Sequence, residues 1–351
     1  MLALLLRLSD PARTRPDDFI SSWAAGHLVA SGANPYDPDA VLAVQRTANW
    51  TKEIPYRVGR VLWYALNLGA CLLSADLLCR FYRGPQWLRA MSWPLIFTFW
   101  PAVIAVRTGQ ISALVLLGVA GFLYLTDQRR WIAAGACLPL VAIKPQLLHL
   151  FWIAILAWVV RERRWRVLAG AIACTLAAVA VTMLMNPAIV PQFLHMAAYD
   201  APQAPASTLG TALRLAIARL TGREDFWLQF VPPALSLFWF VPYWRRHRES
   251  WQWRERASAV LIVSLAATAY GWIYDQIVLL VPVIEVATTR AGADRQARLS
   301  IAIGFLVINA VILAMNVADA DPFCYIWVPF AFGGWWAVAM KRVQNTSDEA
   351  A

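Results

Sequence analysis

The chain has 351 residues, 60% of them hydrophobic and 15% charged, with a mean hydropathy of +0.52. Soluble domains carry about 25% charged residues, so this composition excludes a soluble globular protein and points to a polytopic membrane protein, one domain over 1–351. The net charge of +10 could fit nucleic acid. The bases, however, stand in short clusters between apolar runs, as loops facing anionic lipid do, so no nucleic-acid partner is expected.

Met1–Leu8 (MLALLLRL) is apolar but too short to span, and reads as the tail of a twelfth, N-terminal helix that is truncated here. Pro16–Pro38 (PDDFISSWAAGHLVASGANPYDP) follows. Its Phe19, Trp23, Ala24, Leu28 and Val29 recur at helical spacing, which predicts a short amphipathic interface helix opened by Asp17 and Asp18. Gly32, Asn34 and Pro35 stop that helix. Asp18 reads either as an N-cap or as a functional carboxylate.

Eleven apolar segments come next: Val58–Cys79, Met91–Val106, Ile111–Thr126, Trp131–Ile143, Leu147–Val160, Trp165–Met185, Phe226–Tyr243, Ala257–Ile273, Gln276–Thr288, Ser300–Met315 and Cys324–Met340. The fold class expected is therefore all-α, a membrane helix bundle of about eleven segments. Several are shorter than the ~20 residues of a full span, and two of them could form re-entrant pairs.

Loop charge assigns sides. Every second loop is basic: Arg80, Arg83 and Arg89; Arg129 and Arg130; Arg161 to Arg166; Arg245 to Arg256; Arg290 to Arg298; and Lys341 with Arg342. The positive-inside rule makes these cytoplasmic. The opposite loops carry Asp17-Asp18, Arg107-Thr108-Gly109-Gln110, Lys144-Pro145-Gln146, Asn186–Asp225, Tyr274-Asp275-Gln276 and Asp319 to Asp321. Arg107 and Lys144 break the charge rule there, and polar groups converging on one membrane face make a site. Thr208–Thr221 predicts a second amphipathic helix with Arg214 and Arg219 on its polar side. Asp76 is expected to pair with Arg80 at i, i+4, and Glu285 to snorkel to the cytoplasmic end.

A carboxylate beside separate cations at an interface suits group transfer from a lipid phosphate: the acid takes a proton from the acceptor hydroxyl, and cations hold the departing phosphate. The four histidines show no ligand spacing and the five cysteines no C-x-x-C, so neither a metal nor a cofactor is expected.

DDFISSWAAGHLVASGANPYDP resembles the opening motif of glycosyltransferase family 87, whose members resemble polyprenyl-phosphate-mannose-dependent mannosyltransferases. Gly109-Gln110, Ala134-Gly135 and Ile143-Lys144-Pro145-Gln146 resemble its central block, and Tyr274-Asp275 ahead of Leu279-Leu280-Val281-Pro282 its late block. Ser112 stands where many members carry Asn, and Gln276 where some carry His. The resemblance implies a GT-C bundle in the bacterial inner membrane, its site facing the periplasm. It implies Asp18 as general base of an inverting transfer of a hexose, mannose by this likeness, from a polyprenyl-phosphate donor to a lipid or glycan acceptor. On this reading Arg107 and Lys144 hold phosphate, while Asp17, Gln110, Gln146, Tyr274 and Asp275 bind or orient substrate. The rivals are a transporter or flippase of lipid-linked substrates, and an inactive relative, suggested by the short reach from Trp50 to Tyr56-Arg57-Val58.

Overall fold

The computed structural model describes residues 18–47, 54–199, 206–223 and 225–348, and these are helical with no strand among them. Met1–Leu8 and Asp17 lie outside the described residues. The chain opens with α1 (Phe19–Ala30) and α2 (Pro38–Thr47), then α3 (Ile54–Phe81), the longest helix. The turn between α1 and α2 follows from its residues. Gly32 takes φ +75°, Asn34 Oδ1 accepts from Tyr36 N at 3.0 Å, and Asp37 Oδ1 accepts from Asp39 N at 3.0 Å.

Next are α4 (Gln86–Thr98) and α5 (Trp100–Arg107), bent by 65° where one straight segment is expected. The cause is local. Pro101 stands in the first turn of α5, where its missing N–H is harmless, and the Trp100 N–H freed by the break donates to Asn309 Oδ1 at 2.8 Å. Helix α6 (Ser112–Asp127) leads to α7 (Trp131–Ala136) and α8 (Leu138–Val141), then a 3-10 turn Pro145–Leu148, α9 (His149–Glu162) and α10 (Trp165–Met185). The outer loop contributes α11 (Ile189–Tyr199) and α12 (Leu209–Thr221). After a 3-10 turn Phe226–Phe230 come α13 (Val231–His247) and α14 (Trp253–Ala266). A second long 3-10 turn, Ile273–Leu279, precedes α15 (Leu280–Thr289), and α16 (Arg295–Val317) and α17 (Val328–Asp348) close the chain.

Among the described residues four helical stretches are long and apolar enough to cross a membrane, Tyr56–Phe81, Trp165–Met185, Arg295–Val317 and Pro322–Lys341, or five with the bent pair α4–α5. The protein is membrane-embedded, but the expected eleven crossings are not reached by length and apolarity. The remaining apolar segments fold as shorter helices interrupted by 3-10 turns, and much of their surface faces protein. Phe122, Phe151, Trp158 and Trp253 form an edge-to-face cluster at 5.4–6.4 Å between α6, α9 and α14. Helix α10 is the opposite case, with only 11% of its apolar window buried. It docks through small residues: a Cβ on Gly135 would run into the Val167 carbonyl, and one on Gly170 into the Ile132 carbonyl.

The loops sort into two ends. At one end, Asp18 N donates to Thr108 O at 3.1 Å, Asn186 Nδ2 to Ala33 O at 2.9 Å, and Ser207 N to Gly271 O at 3.0 Å. At the other, Arg254 Nη2 meets Asp127 Oδ1 at 2.6 Å and its Nε donates to Phe81 O, while Arg80 and Arg89 share Asp76 at 2.7 and 2.8 Å. The first end holds the loops poor in positive charge, the second the basic ones. Two side chains depart from expectation. Glu285 does not snorkel; it is buried and accepts from Trp336 Nε1 at 2.7 Å, because α15 packs inside the bundle. Arg214 is buried against the Phe226 ring rather than solvated on a polar face, since Phe226–Phe230 folds back over α12.

Candidate active site

The site is built where the first, second, third and fifth weakly charged loops meet. Its foundation is aromatic. Phe19, the first residue of α1, stacks on Trp63 at 5.7 Å and lies 5.6 Å from Tyr56, both on α3. These rings fix the start of α1, and therefore the residue before it. Asp18 occupies the N-cap position, yet its side chain makes no capping bond. Its carboxylate instead accepts from Gln110 Nε2, across 92 residues of sequence.

Gln110 is held by a tight turn that depends on a glycine. Gly109 takes φ +68°, and a Cβ there would lie 3.1 Å from Phe19 Cβ. Only glycine adopts this conformation without cost while letting α1 approach. The carbonyls of the same turn are all used: Thr108 O by Asp18 N, Gly109 O by Trp63 Nε1 at 2.7 Å, and Arg107 O by Tyr64 Oη at 3.4 Å. Asp18 and Gln110 are thus positioned by backbone contacts that leave both side chains facing each other.

The second carboxylate is different in kind. Asp275 is 2% exposed, in the 3-10 turn Ile273–Leu279. Oδ1 receives Lys144 Nζ at 2.6 Å and Ser112 Oγ at 2.5 Å, and Oδ2 receives Trp272 N at 3.0 Å. Lys144 Nζ also donates to Ser112 Oγ at 3.2 Å. A carboxylate so buried needs a cation and several donors, and it has both. Tyr274 joins the halves. Its ring lies under Lys144 Nζ at 4.9 Å, and its phenol sits beside Gln110 and within the field of Asp18. Burial, then the neighbouring Asp275 charge, pushes that phenol well above its ordinary pKa, so it remains a hydrogen-bond donor.

Five of the eight candidate residues therefore come together: Asp18, Gln110, Lys144, Tyr274 and Asp275. Gln146, two residues after Lys144, is held by its backbone, its carbonyl accepting from Thr268 Oγ1 at 2.8 Å. Arg107 is exposed on the rim, near the Tyr325 phenol. Lys144 is not the lone cation its sequence context suggests, because Asp275 already holds it. Ser112 and Trp63 are structural partners that the motif reading did not select. Ser112 carried a signal, standing where a hydrogen-bonding Asn is common; Trp63 read as one more apolar residue of a membrane segment. Among the described residues no group of three His, Cys, Asp or Glu side chains could hold a metal ion.

The site thus pairs one accessible carboxylate with a buried, neutralised ion pair behind it. That arrangement can accept a proton at its mouth while presenting donors and one shared cation to an anion. No curated protein and no solved structure matches the chain. The sequence model of glycosyltransferase family 87 matches residues 50–269, which contain Gln110, Ser112 and Lys144, with Asp18 and Asp275 flanking the match. Matched over more than half its length, the chain belongs to glycosyltransferase family 87.

Proposed function

We propose that this glycosyltransferase moves a hexose, mannose by the family likeness, from a polyprenyl-phosphate donor to a lipid or glycan acceptor on the outer face of a bacterial inner membrane. The observation that carries the reading is the contrast between the two carboxylates. Asp275 is buried and fully hydrogen-bonded, whereas Asp18 is exposed at the mouth, bonded by a neutral amide.

In the proposed step, Asp18 takes the proton of an acceptor hydroxyl as that oxygen attacks the anomeric carbon. The bond from that carbon to the phosphate oxygen breaks on the opposite side, and polyprenyl phosphate leaves with the electron pair. Attack opposite the leaving group inverts the centre, so a β-linked donor gives an α-linked product. Arg107 on the rim and Lys144 behind it supply positive charge for the leaving phosphate. Gln110 keeps the Asp18 carboxylate aimed, Tyr274 donates to a sugar or phosphate oxygen, and Asp275 fixes Lys144. Asp17 and Gln146 are assigned to substrate binding.

The test is transfer by purified enzyme in proteoliposomes with a short-chain polyprenyl-phosphate mannose. Asp18→Asn keeps shape and removes basicity, so turnover should fall by ~10²–10⁴-fold. The fold should survive, since Asn keeps the shape and its side-chain oxygen can still accept from Gln110 Nε2; a melting curve confirms it. Undiminished transfer by well-folded Asp18→Asn would overturn the assignment. Transport of the intact lipid-linked sugar without glycosyl transfer would favour a flippase instead.

A further inference from the structure

We propose that a groove between α9 and α13, at the basic end of the bundle, is a binding site for one anionic membrane phospholipid. It lies at the opposite end from Asp18 and does not rest on the glycosyl-transfer reading. The groove is an open surface cleft of about 690 Å³, walled by Ile153, Leu156, Ala157, Val160 and Trp244, with Arg161, Arg163 and Arg248 also lining it.

The wall has the geometry of an acyl-chain surface. Ile153, Leu156 and Val160 follow one another at i, i+3 and i+7, so they form one stripe of α9, and they are 37%, 49% and 59% exposed. From Ile153 to Val160 the stripe runs about 10 Å at the helical rise of 1.5 Å per residue. Trp244, whose ring lies tilted against Trp251 at 4.7 Å, stands at the end of the stripe, where amphipathic rings mark the headgroup level.

The occupant is chosen by charge. Arg161, Arg163 and Arg248 are exposed, and no described carboxylate lies within ion-pair distance of them. Of the acids adjacent in sequence, Glu162 reaches Arg164 at 4.0 Å instead, and Glu249 is exposed and not within ion-pair distance of Arg248. Arg163 is presented by an α9 C-cap in the left-handed conformation at φ +53°, which turns the chain at the groove's end. Four arginines of this end are held by protein groups instead, Arg254 by Asp127, Arg80 and Arg89 by Asp76, and Arg290 by the Ala339 carbonyl; Arg161, Arg163 and Arg248 are the ones that line an apolar groove. Three uncompensated guanidiniums around one apolar groove match a phosphodiester carried on acyl chains, whereas a zwitterionic lipid would bring its own cation into the cluster.

Native mass spectrometry of the detergent-solubilised full chain, titrated with phosphatidylglycerol and with phosphatidylcholine, tests this. The expected result is one phosphatidylglycerol retained at least tenfold more strongly than phosphatidylcholine. R161Q/R163Q/R248Q should abolish that preference, and R83Q/R129Q/R130Q, which removes the same charge from other basic loops, should keep it. Should the first triple variant fold poorly, Ala157→Trp fills the groove with every arginine intact and should also lose the lipid. Equal retention of the two lipids, retention by either groove variant, or a lipid-free dimer of the chain would overturn the proposal.

Discussion

Lys144 Nζ lies 2.6 Å from Asp275 Oδ1, tying together two turns 131 residues apart in the chain. The Lys144 side chain is 18% exposed and that of Asp275 3%, so the pair sits at the floor of the site with its cation nearer the mouth. Removing one partner strands the other. Lys144→Met should therefore cost roughly 3–5 kcal/mol of stability, as breaking buried pairs does, and should abolish transfer. Lys144→Met combined with Asp275→Leu should recover part of that stability but none of the activity. Thermal unfolding of Lys144→Met, Asp275→Leu and the double variant in one detergent measures this. Strictly additive losses would mean that the pair is not energetically coupled.

Gln110 touches both Asp18 and the Tyr274 phenol. Gln110→Leu is close in volume and removes both contacts, leaving Asp18 without its aiming donor. Losing one hydrogen bond to a charged group is worth ~1.5–3 kcal/mol, so turnover should drop by roughly 10- to 150-fold. The loss should fall on kcat more than on the donor KM, because Gln110 holds the base rather than the lipid. A change confined to KM would place Gln110 on the donor instead.

Gly109 and Gly26 make a matched pair of tests. Gly109→Ala places a methyl 3.1 Å from Phe19 Cβ at φ +68°, whereas a Cβ on Gly26 meets nothing within 4 Å. Gly109→Ala should push the start of α1 off the 107–110 turn and cut activity well beyond its effect on the melting temperature. Gly26→Ala, in the middle of an exposed helical face, should instead stabilise by about 0.5–1 kcal/mol with activity intact. Equal activity in the two variants would show that the turn does not set the position of Asp18.

Much of the site was legible because membranes make polar residues expensive: Arg107, Gln110, Lys144 and Asp275 stand out in an apolar chain, and their loops do meet. What they do to one another was less legible. Nothing in sequence tells that Lys144 is claimed by Asp275, since the partners come from turns 131 residues apart. The aromatic clamp of Phe19 and Trp63 was hidden for another reason. An apolar residue in an apolar segment faces lipid or protein equally well, and hydropathy does not distinguish them. The same ambiguity bears on the segment count: among the described residues four or five stretches have the length and apolarity of a span, while a shorter helix such as Ser112–Asp127 is apolar and largely buried in protein. It also misplaced Glu285, which α15 carries into the interior.

Sidedness is the remaining prediction, and it follows from contacts and charge together. Asn34 and Ala320 belong to loops poor in positive charge, and the neighbours of those loops join at one end through Ala33–Asn186 and Ser207–Pro322 contacts. Arg163 and Ala293 lie in basic loops, whose members meet at the other end through Arg254–Asp127 and Arg290–Ala339. The positive-inside rule places the second group in the cytoplasm, and hence Asp18 outside. With the five native cysteines replaced, single cysteines at these four positions can be tested with a membrane-impermeant maleimide on intact spheroplasts. Asn34→Cys and Ala320→Cys should label at once; Arg163→Cys and Ala293→Cys should label only after permeabilisation. The reverse pattern would put the site of Asp18 on the cytoplasmic face, where the donor would have to be presented from the inner leaflet. A split between positions 34 and 320 would mean that the weakly charged loops do not share one membrane face, and that the meeting of Asp18, Gln110 and Lys144 has another origin.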